Sequence, residues 1–391
     1  MAAGRQTSQI GDARPFALAQ DLLFVSAQSA GSGAPLRDQI GQVLAKLEAI
    51  LGEAGASLGD VAKVGIFYHQ SVLDQEKAIL AQVREAFRTD PPPVVTAIPL
   101  HHLPGGDLIQ IELIAIQPGG RRSQSRQAAA PNPLDGFSDA LRCDDVVFVG
   151  AKMARDADGT TLHEKDIVSQ ARATIASIGK ALNGVGADMP SVAKLNTYYV
   201  GYGTVEDWSM AARVRSDAFT KPGPGATGVP VPGPYPAGLL LRQEAIAVVD
   251  PDGTPAHRDT SWPEGNWDWP IPVSFEQGLK LNDLLVLGGQ ISATTSGEAV
   301  HPGDLAAQAR RTMETISAIL AGFGATCDDL AKVTVFYATK GDTSDIDTVI
   351  ATISPFFGNG LPALTMVPLA KLGLDHLEIE IEGIGAIDGN A

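Results

Sequence analysis

The sequence is poor in cysteine, in aromatic residues and in positive charge. Its 391 residues include only two cysteines, Cys143 and Cys327, and 6% aromatic residues. Two cysteines cannot build a disulfide framework, so we expect a reducing compartment, the cytoplasm. The 45 acidic residues outnumber the 29 basic ones, and the formal net charge of -16 repels a phosphate backbone. We therefore expect no nucleic-acid partner, although this charge still allows a local basic pocket for a small anion.

Long hydrophobic runs and several catalytic motifs are also missing. No stretch reaches the length of a membrane span, and the opening MAAGRQTSQIGDARPF has no apolar run of the kind a secretory signal needs. We expect no membrane association. The sequence contains no Gly-x-Ser-x-Gly elbow, His-Glu-x-x-His pair, phosphate loop or dinucleotide fingerprint. These absences disfavour most hydrolases, proteases, ATPases and dehydrogenases, and we expect neither a cofactor nor a metal.

The sequence does contain an internal repeat. The segments VAKVGIFY (61–68), VAKLNTYY (192–199) and LAKVTVFY (331–338) share one pattern. Each follows an apolar strand and an amphipathic helix that ends in Gly, and each precedes a second helix, a Pro-rich turn and a final hairpin. Each unit is predicted to have the order β-β-α-β-α-β-β. The fold class is therefore α/β (α+β), with two helices on one face of a mixed sheet.

We predict three units, at 1–118, 134–250 and 271–391. The segments 119–133 and 251–270 join them and are rich in Pro, Gly and polar residues, which is typical of linkers. The second segment contains three of the four tryptophans, Trp262, Trp267 and Trp269. This composition predicts a linker that is pinned to the protein surface.

The third unit resembles the RidA (YjgF) family over a whole family subunit. The resemblance rests on GGQISATTSGEAVHPGDLAAQARRTMETISAIL, LAKVTVFY, LPALTMVPLAKL and IEIEGIGAI, in this order. The first two units resemble the family more weakly but throughout. The resemblance implies RidA/chorismate-mutase-like units, homotrimers with ligand clefts between subunits, and enamine or imine deamination. Three fused units then imply an intramolecular pseudo-trimer that is a monomer or a low-order oligomer.

The resemblance also assigns site positions, one in each unit. The family's carboxylate-binding arginine falls on Val95, Thr227 and Leu364, so no unit keeps it. The aromatic lid falls on Phe16, Phe137 and Phe275. The serine near the end of the second strand falls on Ser26, Gly150 and Gly288, and the glutamate of the last strand falls on Gln110, Arg242 and Glu380. Because Val, Thr and Leu cannot replace a bidentate guanidinium, the resemblance does not imply ordinary RidA activity.

Glu380 is the candidate catalytic residue. Glu378, Glu380 and Glu382 alternate along one strand and share a face, and close carboxylates in a cleft raise one another's pKa, as a general acid or base requires. The alternative is a strand that faces solvent or pairs with basic residues. Glu112, Glu244 and Glu382 occupy the same place in all three units, which indicates a shared structural role for that position.

The second unit carries cations at cleft positions. Lys152, Arg213 and Arg242 together predict a pocket for an anionic small molecule, and Arg242 is the candidate partner of Glu380 across a cleft. The alternative is that these cations form ordinary salt bridges between units.

Three functional hypotheses follow. The first is an atypical RidA-like enzyme that adds water or moves a proton on a small imine, enamine or amide, with Glu380 as general acid or base and Arg242 or Lys152 holding an anionic group. The second is a ring-opening amidohydrolase, which would need a Ser-Lys or similar nucleophile pair. Ser26 is the one hydroxyl retained at a family site position, and the sequence places no lysine beside it. The third is a non-catalytic pseudo-trimer that binds a small ligand or a protein. A buried Glu380 beside an open pocket favours the first, whereas filled clefts favour the third.

Overall fold

A computed structural model describes residues 13–31, 33–201, 204–233 and 236–387, so the predicted outer bounds of the chain, residues 1 and 391, lie outside the described residues. The first unit consists of β1 (Phe16–Ala19), β2 (Leu22–Ser29), α1 (Leu36–Glu53), β3 (Val61–His69), α2 (Glu76–Ala86), β4 (Val94–Leu100) and β5 (Ile109–Ile116). This order is the predicted one.

The second unit repeats this order with one extra strand in front, and the third unit has one extra strand in front and a short additional strand before its first helix. The second unit consists of β6 (Arg126–Ala128), β7 (Ala140–Cys143), β8 (Val146–Lys152), α3 (Ile167–Asn183), β9 (Val192–Val200), α4 (Val205–Ser216), β10 (Gly225–Val231) and β11 (Leu241–Val248). The third unit consists of β12 (Asp259–Ser261), β13 (Gly278–Leu281), β14 (Leu284–Leu287), β15 (Gln290–Ile291), α5 (Leu305–Ala321), β16 (Leu330–Ala338), α6 (Ser344–Ile353), β17 (Ala363–Leu369) and β18 (Ile379–Ala386). The extra strands β6 and β12 come from the two segments predicted as linkers.

Each unit forms one mixed sheet, and its last strand lies inside that sheet. In the first unit β5 lies between β2 and β3 and runs antiparallel to both, while β4 pairs in parallel with β3 at the edge. The predicted final hairpin is therefore wrong, because β3 separates β4 from β5. Seven of the eight β5 residues are buried, which suits a central strand covered on both faces.

The helices cover one face of each sheet. In α1 the buried residues Ile40, Val43, Leu47 and Leu51 recur every three or four positions and pack on the sheet of the first unit. The carboxylate of Asp304 caps α5 by accepting the backbone N–H of Ala307. In the described part of the chain no helix is long and apolar enough to cross a membrane.

The uncovered sheet faces meet one another. Strand β4 contacts β8 of the second unit, β10 contacts β14 of the third, and β17 contacts β2 of the first. At each seam, the contact between two units, a buried lysine of the VAK or LAK segment pairs with a glutamate from the last strand of the next unit. These pairs are Lys63–Glu244 at 3.0 Å, Lys194–Glu382 at 2.8 Å and Lys332–Glu112 at 2.6 Å. The shared structural role expected for these glutamates is thus to bind lysine across a seam.

One arginine of the first linker joins all three units. The side chain of Arg122 is 1% exposed, and its guanidinium pairs with Asp21 of the first unit, Asp145 of the second and Asp283 of the third. Burial alone would lower the pKa of Arg122, but the three aspartates raise it well above its ordinary value. The charge of this residue is therefore fixed, and it ties the turns between the first two core strands of every unit together.

Replacing Arg122 with Met should destabilise the protein strongly. The substitution leaves the facing aspartates without their shared cation, and breaking a buried ion pair in this way typically costs about 3–5 kcal/mol. The neighbouring Arg121, whose side chain is 52% exposed, pairs with Asp144 and Asp145 and supplies the control. Arg121→Met should cost about 1 kcal/mol or less. Urea denaturation measures both free energies of unfolding, and equal losses would contradict the assignment.

Candidate active site

Glu380 lies at the seam between the second and third units. Its side chain projects from β18 and the residue is 7% exposed. The backbone of Gly289 runs so close that a Cβ there would lie 1.8 Å from the Glu380 Oε1, so any other residue at position 289 would displace the Glu380 carboxyl. Glu382, two residues on, has an ion pair with Lys194, whereas no described residue forms one with Glu380 within 4.0 Å.

Burial makes the Glu380 carboxyl a weak acid. Burial first, and then the negative charge of Glu382, raise its pKa from the usual 4.5 to about 8. Lys194, the backbone N–H of Gly228 and Arg215 act in the opposite direction but do not offset the burial. At neutral pH most Glu380 side chains therefore carry a proton, and the carboxyl can donate it.

A cavity of about 60 Å³ opens beside Glu380, between the second and third units. We call it the Glu380 cavity. Four aromatic side chains contribute to its wall: Trp208, Trp267, Trp269 and Phe275. The Trp267 and Trp269 rings meet edge to face with their centroids 4.7 Å apart, and the Trp267 Nε1 donates to Gln290 Oε1 at 3.0 Å. The tryptophan-rich segment before the third unit therefore forms a wall of this cavity.

Arg215 is the cation of the Glu380 cavity. It is buried, its Nη1 donates to Thr197 Oγ1 at 2.7 Å, and its guanidinium carbon lies 5.6 Å from the centre of the Phe275 ring. Burial lowers its pKa to about 10, which still leaves it charged at neutral pH. The predicted cation on this helix was Arg213, but Arg213 is exposed.

The sequence contained a signal for Arg215. Trp208, Ala211, Ala212 and Arg215 are the buried stripe of α4, at positions i, i+3, i+4 and i+7. An arginine on the buried stripe of a helix requires a partner or a ligand, and Arg213 lies off that stripe. The helical period thus distinguishes the two residues.

A tyrosine hydroxyl accompanies these groups. The Tyr199 Oη is buried and finds no hydrogen-bond partner among the described residues. Burial and the nearby Glu380 raise the Tyr199 pKa far above its ordinary value, so the hydroxyl keeps its proton. A Cβ on Gly373, which lines the Glu380 cavity, would lie 3.2 Å from this oxygen.

Arg242 lies at a different seam, between the first and second units. Arg242 is 1% exposed, and its guanidinium donates to the Glu76 carboxylate and to the Ala97 carbonyl oxygen. Tyr68 donates its hydroxyl to the same carboxylate. The predicted pairing of Arg242 with Glu380 is therefore wrong, because the last strands of successive units face different neighbours.

Lys152 and Phe137 lie at the same seam as Arg242. Lys152 is buried and paired with Asp139, and burial lowers its pKa despite that pairing. Phe137 is buried against the core of the first unit, with the Arg84 guanidinium carbon 5.9 Å from its ring centre. Of the three expected lid residues, only Phe275 lines the Glu380 cavity.

The seam between the third and first units is held by direct hydrogen bonds. The Ser26 hydroxyl donates to the Arg14 carbonyl at 2.6 Å and accepts the Leu364 N–H at 2.9 Å. The Gln110 amide donates to the Met366 carbonyl at 3.1 Å. Phe16, the remaining lid residue, is half-buried and packs on the core of the first unit. Ser26 thus has a structural role at this seam.

The positions assigned to the family arginine all lie at seams. Val95 lines a cavity between the first and second units, Thr227 lines the Glu380 cavity, and Leu364 binds Ser26. The Thr227 hydroxyl accepts from Lys194 Nζ at 2.7 Å and donates to the Glu382 carboxylate.

In the described part of the chain no group of three His, Cys, Asp or Glu side chains could hold a metal ion.

Comparison with known proteins agrees with the three-unit architecture. The family model described as endoribonuclease L-PSP matches three times, at residues 17–117, 127–249 and 271–387. The chain belongs to this family. It is a fusion of three units of the RidA family, because its curated relatives match single units. A 2-iminobutanoate/2-iminopropanoate deaminase of Escherichia coli K12 is 36% identical over 113 residues, which are 28% of this chain and 84% of the relative.

Two further comparisons describe this RidA-family chain. A RutC family protein of Pyrococcus abyssi is 33% identical over 116 residues, 29% of the chain and 88% of the relative. A crystal structure of a chorismatase superposes with a TM-score of 0.57 at 15% identity, covering 96% of the chain and 100% of that structure. The second likeness concerns the fold alone, and it extends over all three units.

The raised pKa of Glu380 predicts a pH-dependent effect of Glu380→Gln on stability. The folded protein holds this proton between pH 4.5 and about 8, whereas the unfolded chain releases it, so Glu380 costs the native state progressively more stability as pH rises through this window. Denaturation at pH 5, 6.5 and 8 should show the variant gaining stability relative to the parent as pH rises. Glu298→Gln, at an exposed glutamate, should show no such trend. A pH-independent difference for Glu380→Gln would refute the raised pKa.

Proposed function

We propose that this chain is a hydrolytic enzyme of RidA type for a small imine, enamine or related metabolite, with its reaction in the Glu380 cavity. Glu380 is the general acid, and Arg215 holds an anionic group of the substrate. The observation that carries the proposal is a buried carboxyl without an ion pair that lines a cavity together with four aromatic side chains and a buried arginine. Strongly perturbed carboxyls in clefts are typical of catalytic sites.

The proposed chemistry begins with the protonated form of Glu380. The carboxyl donates its proton to the imine nitrogen while water attacks the carbon, and the resulting carboxylate takes back a proton from the attacking water. The C–N bond then breaks, the nitrogen leaves as ammonia after a second proton transfer from Glu380, and the hydroxyl proton returns to the carboxylate as the carbonyl forms. The aromatic walls shield these steps from bulk water.

Arg215 is suited to bind an anionic substrate without needing the family arginine. Its Nη1 and Nε donate to Thr197 and to the Ala211 carbonyl, which fixes the guanidinium plane against Phe275. The deaminase of Escherichia coli, by its name, acts on the iminobutanoate and iminopropanoate anions. A carboxylate of that kind is the substrate group that we assign to Arg215.

The two other hypotheses have less support. A ring-opening amidohydrolase needs a free nucleophile, whereas the Ser26 hydroxyl already donates to the Arg14 carbonyl within the first unit and accepts the Leu364 N–H across a seam. A purely ligand-binding protein has no need of a buried carboxyl without an ion pair, since such a group destabilises the fold.

Ammonia release from 2-iminobutanoate, generated in the assay from the amino acid, tests the proposal. Glu380→Gln should lower kcat at least a hundredfold, since general acid catalysis contributes about 10²–10⁴-fold. Arg215→Lys should raise KM more than it lowers kcat, because the ammonium keeps the charge but loses the fork. Arg213→Lys, at the exposed arginine on the same helix, is the matched control and should change neither constant.

Two results would contradict the proposal. Unchanged turnover in Glu380→Gln would remove Glu380 from the reaction, and equal losses in Arg213→Lys and Arg215→Lys would show a general effect on α4. Tight binding of the substrate without turnover by the parent protein would support the ligand-binding hypothesis instead.

We also propose that the three seams form an intramolecular pseudo-trimer and that the chain is a monomer. In each unit, the sheet face that carries no helices already contacts the two other units. None of these faces is therefore left to bind a second chain. Light scattering after size-exclusion chromatography should give a mass near 40.7 kDa. A stable trimer in solution would contradict this proposal.

A further inference from the structure

All four tryptophans of the chain lie at the seam between the second and third units. Trp208 belongs to α4 of the second unit, and the other three belong to residues 262–269, which we call the Trp segment. Trp208, Trp267 and Trp269 line the Glu380 cavity, and Trp262 packs on Trp269. The Trp segment lies outside the three stretches that match the family model. Part of the cavity wall is therefore an addition to the family unit.

The corresponding cleft between the first and second units is much larger. It is lined by Val95 and Arg242, which are the counterparts of Thr227 and Glu380. Its volume is about 760 Å³, against about 60 Å³ for the Glu380 cavity. The segment 119–133, which precedes the second unit, contains no tryptophan. Two clefts of the same fold thus differ more than tenfold in volume.

A second substitution accompanies the Trp segment. Trp208 lies nine residues after Tyr199, and the residue nine positions after the corresponding Tyr68 is Lys77. Lys77 lines the larger cleft and is exposed. A large buried indole therefore replaces a solvated side chain on the helix side of the Glu380 cavity.

Hydrogen bonds fix the Trp segment to the third unit. Trp267 is 3% exposed, its Nε1 donates to Gln290 Oε1 at 3.0 Å, and its carbonyl oxygen accepts from Gln277 Nε2 at 2.5 Å. Asn266 Nδ2 donates to Gln277 Oε1 at 3.1 Å. Gln277 and Gln290 are fully buried, so breaking these bonds would leave buried polar groups without partners. The segment is thus a fixed wall of the cavity.

The Trp269 ring is held by packing. It meets three other aromatic rings edge to face, with ring centres 5.4 Å from Trp262, 4.7 Å from Trp267 and 6.2 Å from Phe275. This arrangement is the one that aromatic pairs prefer. The ring therefore keeps its place beside the cavity and occupies space that a larger ligand would need.

The remaining volume excludes large substituents. A cavity of about 150 Å³ in a protein interior accommodates one benzene ring. The Glu380 cavity, with about 60 Å³, has no room for a ring of that size beside the reacting atoms. Close-packed walls do not expand freely, because added bulk forces side chains out of their preferred rotamers.

We propose that the Trp segment limits the substrate of the Glu380 cavity to imines or enamines whose substituent has one or two carbon atoms, and that Trp269 sets this limit. The inference rests on the proposed function and adds the property that selects among its substrates. Exclusion by the bulk of one ring has a clear consequence: a smaller residue at position 269 should admit larger substrates.

Turnover of two imines that differ in size tests the proposal. Ammonia release is measured with 2-iminopropanoate and with 2-imino-3-phenylpropanoate, each generated in the assay from its amino acid. In the parent protein kcat/KM should be at least a hundredfold higher for the smaller imine. Trp269→Ala should lower this ratio at least tenfold, mainly by raising kcat/KM for the larger one.

Two further variants complete the test. Trp269→Phe opens less space and keeps an aromatic ring, so it should shift the ratio in the same direction by a smaller factor, even if the alanine variant does not fold. Trp262→Ala is the matched control, because it removes a ring of the same segment that does not line the cavity. It should keep the ratio of the parent.

Indole binding separates the size limit from the proposed chemistry. Indole has the shape of the ring that Trp269→Ala removes, so calorimetric titration should show at least tenfold tighter binding to this variant than to the parent or to Trp262→Ala. Bound indole should also suppress turnover of the larger imine by Trp269→Ala.

The possible failures are distinct. Equal turnover of both imines by the parent, an unchanged ratio in the Trp269 variants, an equal change in Trp262→Ala, or equal indole binding by the parent would overturn the size limit and leave the proposed reaction intact. Indole binding by Trp269→Ala without turnover of any imine by any variant would overturn the proposed reaction, and with it the assigned substrate.

Discussion

Three buried lysine–glutamate pairs hold the units of this protein in register. In each pair the lysine belongs to one unit and the glutamate to the next, and a threonine of the neighbouring strand, Thr96, Thr227 or Thr365, hydrogen-bonds the same carboxylate. Buried charges must be compensated, so two units can dock only where lysine meets carboxylate. Arg122 adds a second such constraint, because its three aspartate partners come from three different units.

This shared frame lets the three seams differ in chemistry. One position of the last strand is Gln110, Arg242 or Glu380, and its surroundings decide what it does. Gln110 closes a seam through the Met366 carbonyl, and Arg242 is held by Glu76. Glu380 has no ion pair with a described residue, and it lines a cavity that also contains four aromatic side chains. Glu382, two residues further along the same strand, forms an ion pair with Lys194. Two glutamates of one strand thus have different roles: Glu382 joins two units, and Glu380 is the proposed general acid.

Much of the fold could be predicted from the repeated pattern. Helical periodicity and apolar strands gave the order of elements, since those signals depend only on neighbouring residues. The final hairpin was wrong because sheet order is a long-range property: β5 is buried on both faces and inserts between β2 and β3, so it does not pair with β4. The strand β6 and the role of Arg122 were missed because a Pro- and Gly-rich segment has the composition of a linker even when it pairs with a sheet.

By itself, the sequence determined that the chain contains three related α/β units, that Glu380 differs from its counterparts, and that the second unit concentrates cations. It also contained the helical stripe that identifies Arg215. Only the tertiary structure decided that Glu380 faces Arg215 and that Arg242 faces the first unit. The physical reason is that a cleft between units is formed by residues distant in sequence, and the cyclic pairing of lysines with glutamates selects which of them meet.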